Sequence, residues 1–156
     1  MSFINSQEVQ IAGPLKAAHY ELSRATALRD AFSRCVTDYY TKASSGKDFE
    51  ANGLLVTGKS RVGKTRELKH LITEFNEANE KMPDGRQARI VPCLLSGKVT
   101  WKDLGKRAAA ALDYSIDSKY RDQNYIWEKV IDQARRHGVI GIHFDECQHI
   151  FSNAGE

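Results

Sequence analysis

The chain has 156 residues and a mass of 17.6 kDa, enough for one domain with a moderate core. Hydrophobic residues at 41% and charged residues at 28% exclude a disordered chain, and no apolar run approaches membrane-spanning length. A net charge of +3 permits contact with nucleic acid without arguing for it. No basic segment followed by an apolar one opens the chain, so the location expected is the cytoplasm. Cys35, Cys93 and Cys147 are too few and too scattered for a disulfide framework, and each reads as a small buried hydrophobe in a reducing compartment.

In chain order, Met1 to Pro14 show no period and read as an arm that lies over the domain or moves. From Leu15 to about Thr41, the residues Leu22, Ala25, Leu28, Phe32, Cys35, Val36 and Tyr39 recur at helical spacing. Ser44 to Asp48 form a turn. Leu54-Leu55-Val56-Thr57 reads as a buried strand, and an amphipathic helix runs from the glycine-rich stretch after it to about Ala78. Pro83-Asp84-Gly85 marks a turn. Ala88 to Leu95 reads as a second strand, which Pro92 directs to a sheet edge or a bulge. Thr100-Trp101-Lys102-Asp103 has the form of a capping box, and a helix follows from Leu104 to Leu112. Asn124 to His137 is a further amphipathic helix, with Gly138 suited to its C-terminal cap. The apolar strand Val139 to Phe144 follows, and Gln148 to Phe151 reads as the first turn of another helix. This order predicts a three-layer α/β domain with a mainly parallel sheet.

Two stretches carry chemistry. Gly58-Lys59-Ser60-Arg61-Val62-Gly63-Lys64-Thr65 is a complete G-x-x-x-x-G-K-[ST] phosphate loop between a strand and a helix. A strand that delivers a glycine loop onto a helix N-terminus aims backbone N–H groups and the positive end of the helix dipole at one spot, which suits phosphate. Lys64 would reach the β- and γ-phosphates of a nucleotide, and the Thr65 hydroxyl would ligate Mg²⁺. The bland alternative is a glycine turn with no ligand. The second stretch is the strand ending in Asp145-Glu146. Ligand chemistry in a parallel α/β sheet gathers at the carboxyl ends of strands, so both stretches would face one crevice. Asp145 would then hold Mg²⁺ and Glu146 would polarise the attacking water as catalytic base. Its bland alternative is a carboxylate pair that only caps the next turn. The absence of an N-K-x-D signal favours ATP over GTP.

Val56 to Thr65 together with Ile142-His143-Phe144-Asp145-Glu146-Cys147-Gln148-His149 resemble the TniB group of AAA+ ATPases, similar to the IstB, MuB and TnsC regulators of transposition. The serine-arginine inside the loop, the D-E-x-Q-H ending and the segment Ser96 to Leu104 carry the likeness, which spans roughly residues 50 to 151. The resemblance implies an ATP-dependent switch that oligomerises on double-stranded DNA, recruits a transposase and releases on hydrolysis. It also implies that Gln148 and His149 sense nucleotide state, and with the order of elements it divides the chain into an N-terminal arm and helix over residues 1–45 and a partial AAA+ nucleotide-binding core over 46–156. One departure stands out. AAA+ cores of this kind carry further strands, an arginine finger and a helical lid after the Asp-Glu strand, with one of those strands lying between the two motif strands. The resemblance therefore implies a C-terminally truncated core, or direct pairing of the two motif strands.

Other readings compete. His143, Asp145, Cys147 and His149 include zinc-ligand types. Asp145-Glu146-Cys147 opens like a helicase D-E-x-H box, but Gln148 holds the histidine position. A nucleotide-gated binding or signalling module with little turnover is the alternative outside enzymology. Trp101, Trp127, Tyr39, Tyr40, Tyr114, Tyr120 and Tyr125 could stack on bases, although core packing is their expected role. Arg135 and Arg136 complement a helix C-terminus, and Lys102, Lys106 and Arg107 form a basic face that reads as solvated.

Overall fold

The computed structural model describes residues 10–12, 14, 23–116 and 122–151. The readings placed on most of the N-terminal arm, on the helix before Ser23, on Tyr120 and on the His149 side chain lie outside what is described. The elements are α1 (Ser23–Ser44), α2 (Lys64–Glu77), β1 (Arg89–Leu94), α3 (Trp101–Ala111), α4 (Gln123–Arg136), β2 (Val139–Asp145) and a single turn, α5 (Gln148–Phe151).

β1 and β2 form a parallel pair, with Val91 opposite Ile142 and Leu94 opposite Asp145, and with a register irregularity between Arg89 and Ile90. Side chains alternate across the pair, and the two faces meet different helices. Val91 and Cys93 project into clusters built with Ala108, Ala109 and Leu112 of the α3 segment, Val130 of α4, and Ile142 and Phe144 of β2. Asp145, one residue past Phe144, faces the opposite side, where Thr65 of α2 meets it. The result is α2, sheet, then α3 and α4: the three layers expected from the order of elements.

The edge character that Pro92 predicts for β1 is present. The Asn76 side chain of α2 donates to Ile90 O and accepts from Ile90 N–H, both at 2.9 Å, so it stands where a neighbouring strand would pair. Pro92 has no N–H to leave unpaired on that edge. Arg107 of α3 donates to Leu94 O at 3.4 Å and to Ser96 O at 2.9 Å, which ties it to the edge rather than leaving it on a solvated basic face.

The strand expected over Leu54-Leu55-Val56-Thr57 does not form. The segment carries no ladder bonds, Leu54 is 38% exposed and Leu55 is 75% exposed. The sheet ends at β2. Its one partner is β1, and among the described residues no strand lies along its other edge. The apolar run before the phosphate loop does not pair with that open edge, so direct pairing of the two motif strands is not realised. For the same reason every residue of β2 is only half-buried.

Helix α3 begins with the expected capping box: the Thr100 hydroxyl accepts from Asp103 N–H while the Asp103 carboxylate accepts from Thr100 N–H. Its buried stripe of Leu104, Gly105 and Ala108 crosses α4 closely enough that a Cβ at Gly105 would lie 2.7 Å from Ile126 Cγ2. Trp127 packs into the core from α4. Trp101 does not. It is 61% exposed, because it stands at the first residue of α3, ahead of the stripe that meets α4. Helix α1 lies against α2 through an edge-to-face Phe32–Phe75 contact at 6.3 Å and an Arg29–Glu74 ion pair.

Candidate nucleotide-binding site

The phosphate loop folds around alternating backbone signs. Gly58 has φ 148°, Arg61 φ 62° and Gly63 φ 91°. Residues in left-handed conformations turn successive N–H groups toward one side, and this concavity is the kind that holds anions. Gly63 is the N-cap of α2 without any side-chain cap. The helix's first backbone bond runs from Glu67 N–H to Gly63 O at 3.0 Å, so the amides of Lys64 and Thr65 precede it and face the loop. Lys59, Ser60 and Arg61 are exposed and Val62 is half-buried, leaving the concavity open to solvent.

Lys64 is folded back on its own loop. Its Nζ donates to Gly58 O at 2.8 Å and to Lys59 O at 2.7 Å. These carbonyls satisfy the ammonium, a fold-back that the spacing of the motif does not reveal.

Thr65 joins the two motifs. Its Oγ1 donates to Asp145 Oδ1 at 3.0 Å, across eighty residues of sequence, in a partly buried setting. The same carboxylate oxygen accepts from Glu146 N–H at 3.1 Å. Glu146 adopts φ 63°, a left-handed turn that breaks the strand's alternation and leaves its carboxylate exposed beside Asp145. The Gln148 side-chain amide donates to Glu146 Oε2.

Around this centre, His143 shares a face with Asp145. Burial holds its imidazole below the ordinary pKa, Asp145 opposes that shift and Lys69 adds to it. Its Nδ1 is buried with no partner among the described residues. Burial, with a smaller contribution from Asp145, raises the Cys147 thiol, whose Sγ donates to Phe144 O at 3.0 Å. Among the described residues, no three His, Cys, Asp or Glu side chains converge as a metal cluster.

A loop-to-helix anion cradle, joined by a hydroxyl to a strand-end carboxylate in a parallel α/β framework, defines the phosphate-loop NTPase class. A family profile described as "AAA domain" matches residues 47–156, and the chain belongs to that family. No curated protein and no solved structure matches the chain significantly. Family membership supports nucleotide binding and AAA-type ATPase character. Among the described residues, no helix is long and apolar enough to cross a membrane.

Proposed function

We propose that this chain binds ATP with Mg²⁺ and hydrolyses it, and that it acts as a nucleotide-dependent regulator of DNA transposition. The observation that carries the nucleotide reading is the Thr65–Asp145 bond, since it brings a hydroxyl and a carboxylate to the mouth of the phosphate loop. Two hard oxygen donors beside an anion cradle fit Mg²⁺, and Thr65 and Asp145 are the residues that would hold it. When bound, the ion would neutralise charge on the phosphoryl oxygens. In this reading Gly58 to Gly63 cradle the phosphates through backbone N–H groups, and Lys64 exchanges its two loop carbonyls for β- and γ-phosphate oxygens. Glu146 accepts a proton from the attacking water as the water–phosphorus bond forms and the bond to the ADP oxygen breaks.

Transposition rests on the likeness of the loop and the D-E-x-Q-H ending to TniB-type proteins. That likeness supports double-stranded DNA and a transposase as partners and a nucleotide-dependent homo-oligomer as the working state. With the order of elements along the chain, it supports a division into residues 1–45 as arm and helix and 46–156 as a partial core.

The test is Mg²⁺-ATP binding and turnover by the full chain, with and without duplex DNA. Lys64→Ala is expected to weaken binding at least about a hundredfold, as loss of a charged phosphate contact implies. Glu146→Gln is expected to keep binding and lower turnover to a small residual rate, and loss of binding in that variant would contradict the role given to Glu146. DNA-stimulated turnover supports the transposition reading. Tight binding with neither turnover nor a DNA effect would replace it with a nucleotide-gated module.

A further inference from the structure

Among the described residues, Glu146 is a proposed reacting group whose side chain stands in solvent. It is exposed, its backbone is left-handed at φ 63°, and its N–H is already committed to Asp145 Oδ1. A free glutamate in such a place samples several rotamers, few of which aim an oxygen at a water beside the phosphate loop. Among the described residues, the side chain that bonds its carboxylate is Gln148, whose Nε2 donates to Glu146 Oε2. The bond engages one carboxylate oxygen and leaves the other, Oε1, with its lone pairs to accept a proton. Gln148 can reach back because α5 starts at its position, after Glu146 has turned the chain out of β2. A two-residue separation along a strand would instead have placed both side chains on one face without closing on each other.

We propose that Gln148 is a positioning residue for the ATPase reaction, acting through Glu146 by fixing its carboxylate with Oε1 toward the attacking water. This deepens the proposed function and rests on Glu146 being the base. Gln148 need not touch nucleotide.

The experiment compares the wild-type chain with Gln148→Met, which keeps side-chain length but has no donor, and Gln148→Glu, which sets a like charge against Glu146. Each change is also made in the Glu146→Gln background. Affinity is read with a fluorescent ATP analogue, and kcat and KM with Mg²⁺-ATP. The expected result is a kcat lowered about tenfold in Gln148→Met, and further in Gln148→Glu, with KM and analogue affinity within about twofold of wild type. Retained affinity also reports that each variant is folded. In the Glu146→Gln background neither change should lower turnover further, because a residue acting through another is non-additive with it.

Unchanged kcat in both variants would overturn the proposal, and so would an equal fractional loss with and without Glu146. A raised kcat would overturn it too, by making the amide a brake. So would a wild-type chain that binds ATP through Lys64 but turns none over. Absence of Lys64-dependent binding in the wild type would overturn the nucleotide reading and this proposal together, which distinguishes that failure from the others.

Discussion

At the scale of single residues, the site is assembled by a few short bonds among half-buried and exposed side chains. Lys64 bonds two carbonyls of its own loop, so the free protein holds its charge without burying it. His143 is the residue with the opposite problem, because half-burial on the Asp145 face disfavours its charged form. With its folded-state pKa below the unfolded one, His143 binds a proton more readily in the unfolded chain. Stability is therefore complete above about pH 6.5 and declines as the pH falls from there through the folded-state value. Thermal melts on either side of that pH should show the loss in wild type and a smaller loss in His143→Gln. Equal losses in both would show that His143 does not report burial. The Asp103 carboxyl, held low chiefly by the Thr100 hydroxyl, also loses its contribution as pH falls, but only in the acid range below the unfolded carboxylate value.

At the scale of elements, much was legible because local rules and tertiary packing agree. Thr100 and Asp103 form the capping box that their spacing predicts, Pro92 lies on a strand edge, and Gly138 follows α4 at φ 66°. The phosphate loop runs straight into its helix at Lys64, where the G-x-x-x-x-G-K-T spacing puts it. What was not legible depends on partners far along the chain. Asn76 reads as one more polar residue late in a helix, yet it closes the outer edge of β1. Gly105 reads as a weak point in α3, costing about 1 kcal/mol of helix propensity relative to Ala. Instead it is the point of closest approach to α4, where a Cβ would meet Ile126 at 2.7 Å and Trp127 at 3.3 Å. Gly105→Ala should therefore destabilise the protein by a net of about 1–2 kcal/mol, with overpacking outweighing the propensity gain. Chemical denaturation would check the sign. A stabilised variant would mean that the helices can move apart at no cost.

At the scale of the whole molecule, burial is lopsided, and this is where sequence and structure part. Both β2 and the run before the phosphate loop are apolar enough to read as buried strands, but burial belongs to a sheet and not to a sequence. Val91 and Cys93 of β1 are buried, because α3 and α4 cover one face and Asn76 and Arg107 close the outer edge. β2 is half-exposed throughout, and Leu55 stands 75% in solvent beside an unpaired backbone. The core that stabilises the chain thus lies between β1, α3 and α4, where Ala108, Ala109 and Ile126 are fully buried. The phosphate loop is attached at its rim through α2. Two substitutions separate this arrangement from a fully formed central sheet. Ile126→Ala should cost about 2–5 kcal/mol, as truncation of a buried isoleucine does. Leu55→Lys should change stability by no more than about 0.5 kcal/mol, because the lysine replaces a side chain already in water. Equilibrium urea unfolding of both variants decides the matter. A loss of several kcal/mol in Leu55→Lys would mean that the segment before the loop is packed in solution, with a strand beside it closing the free edge of β2.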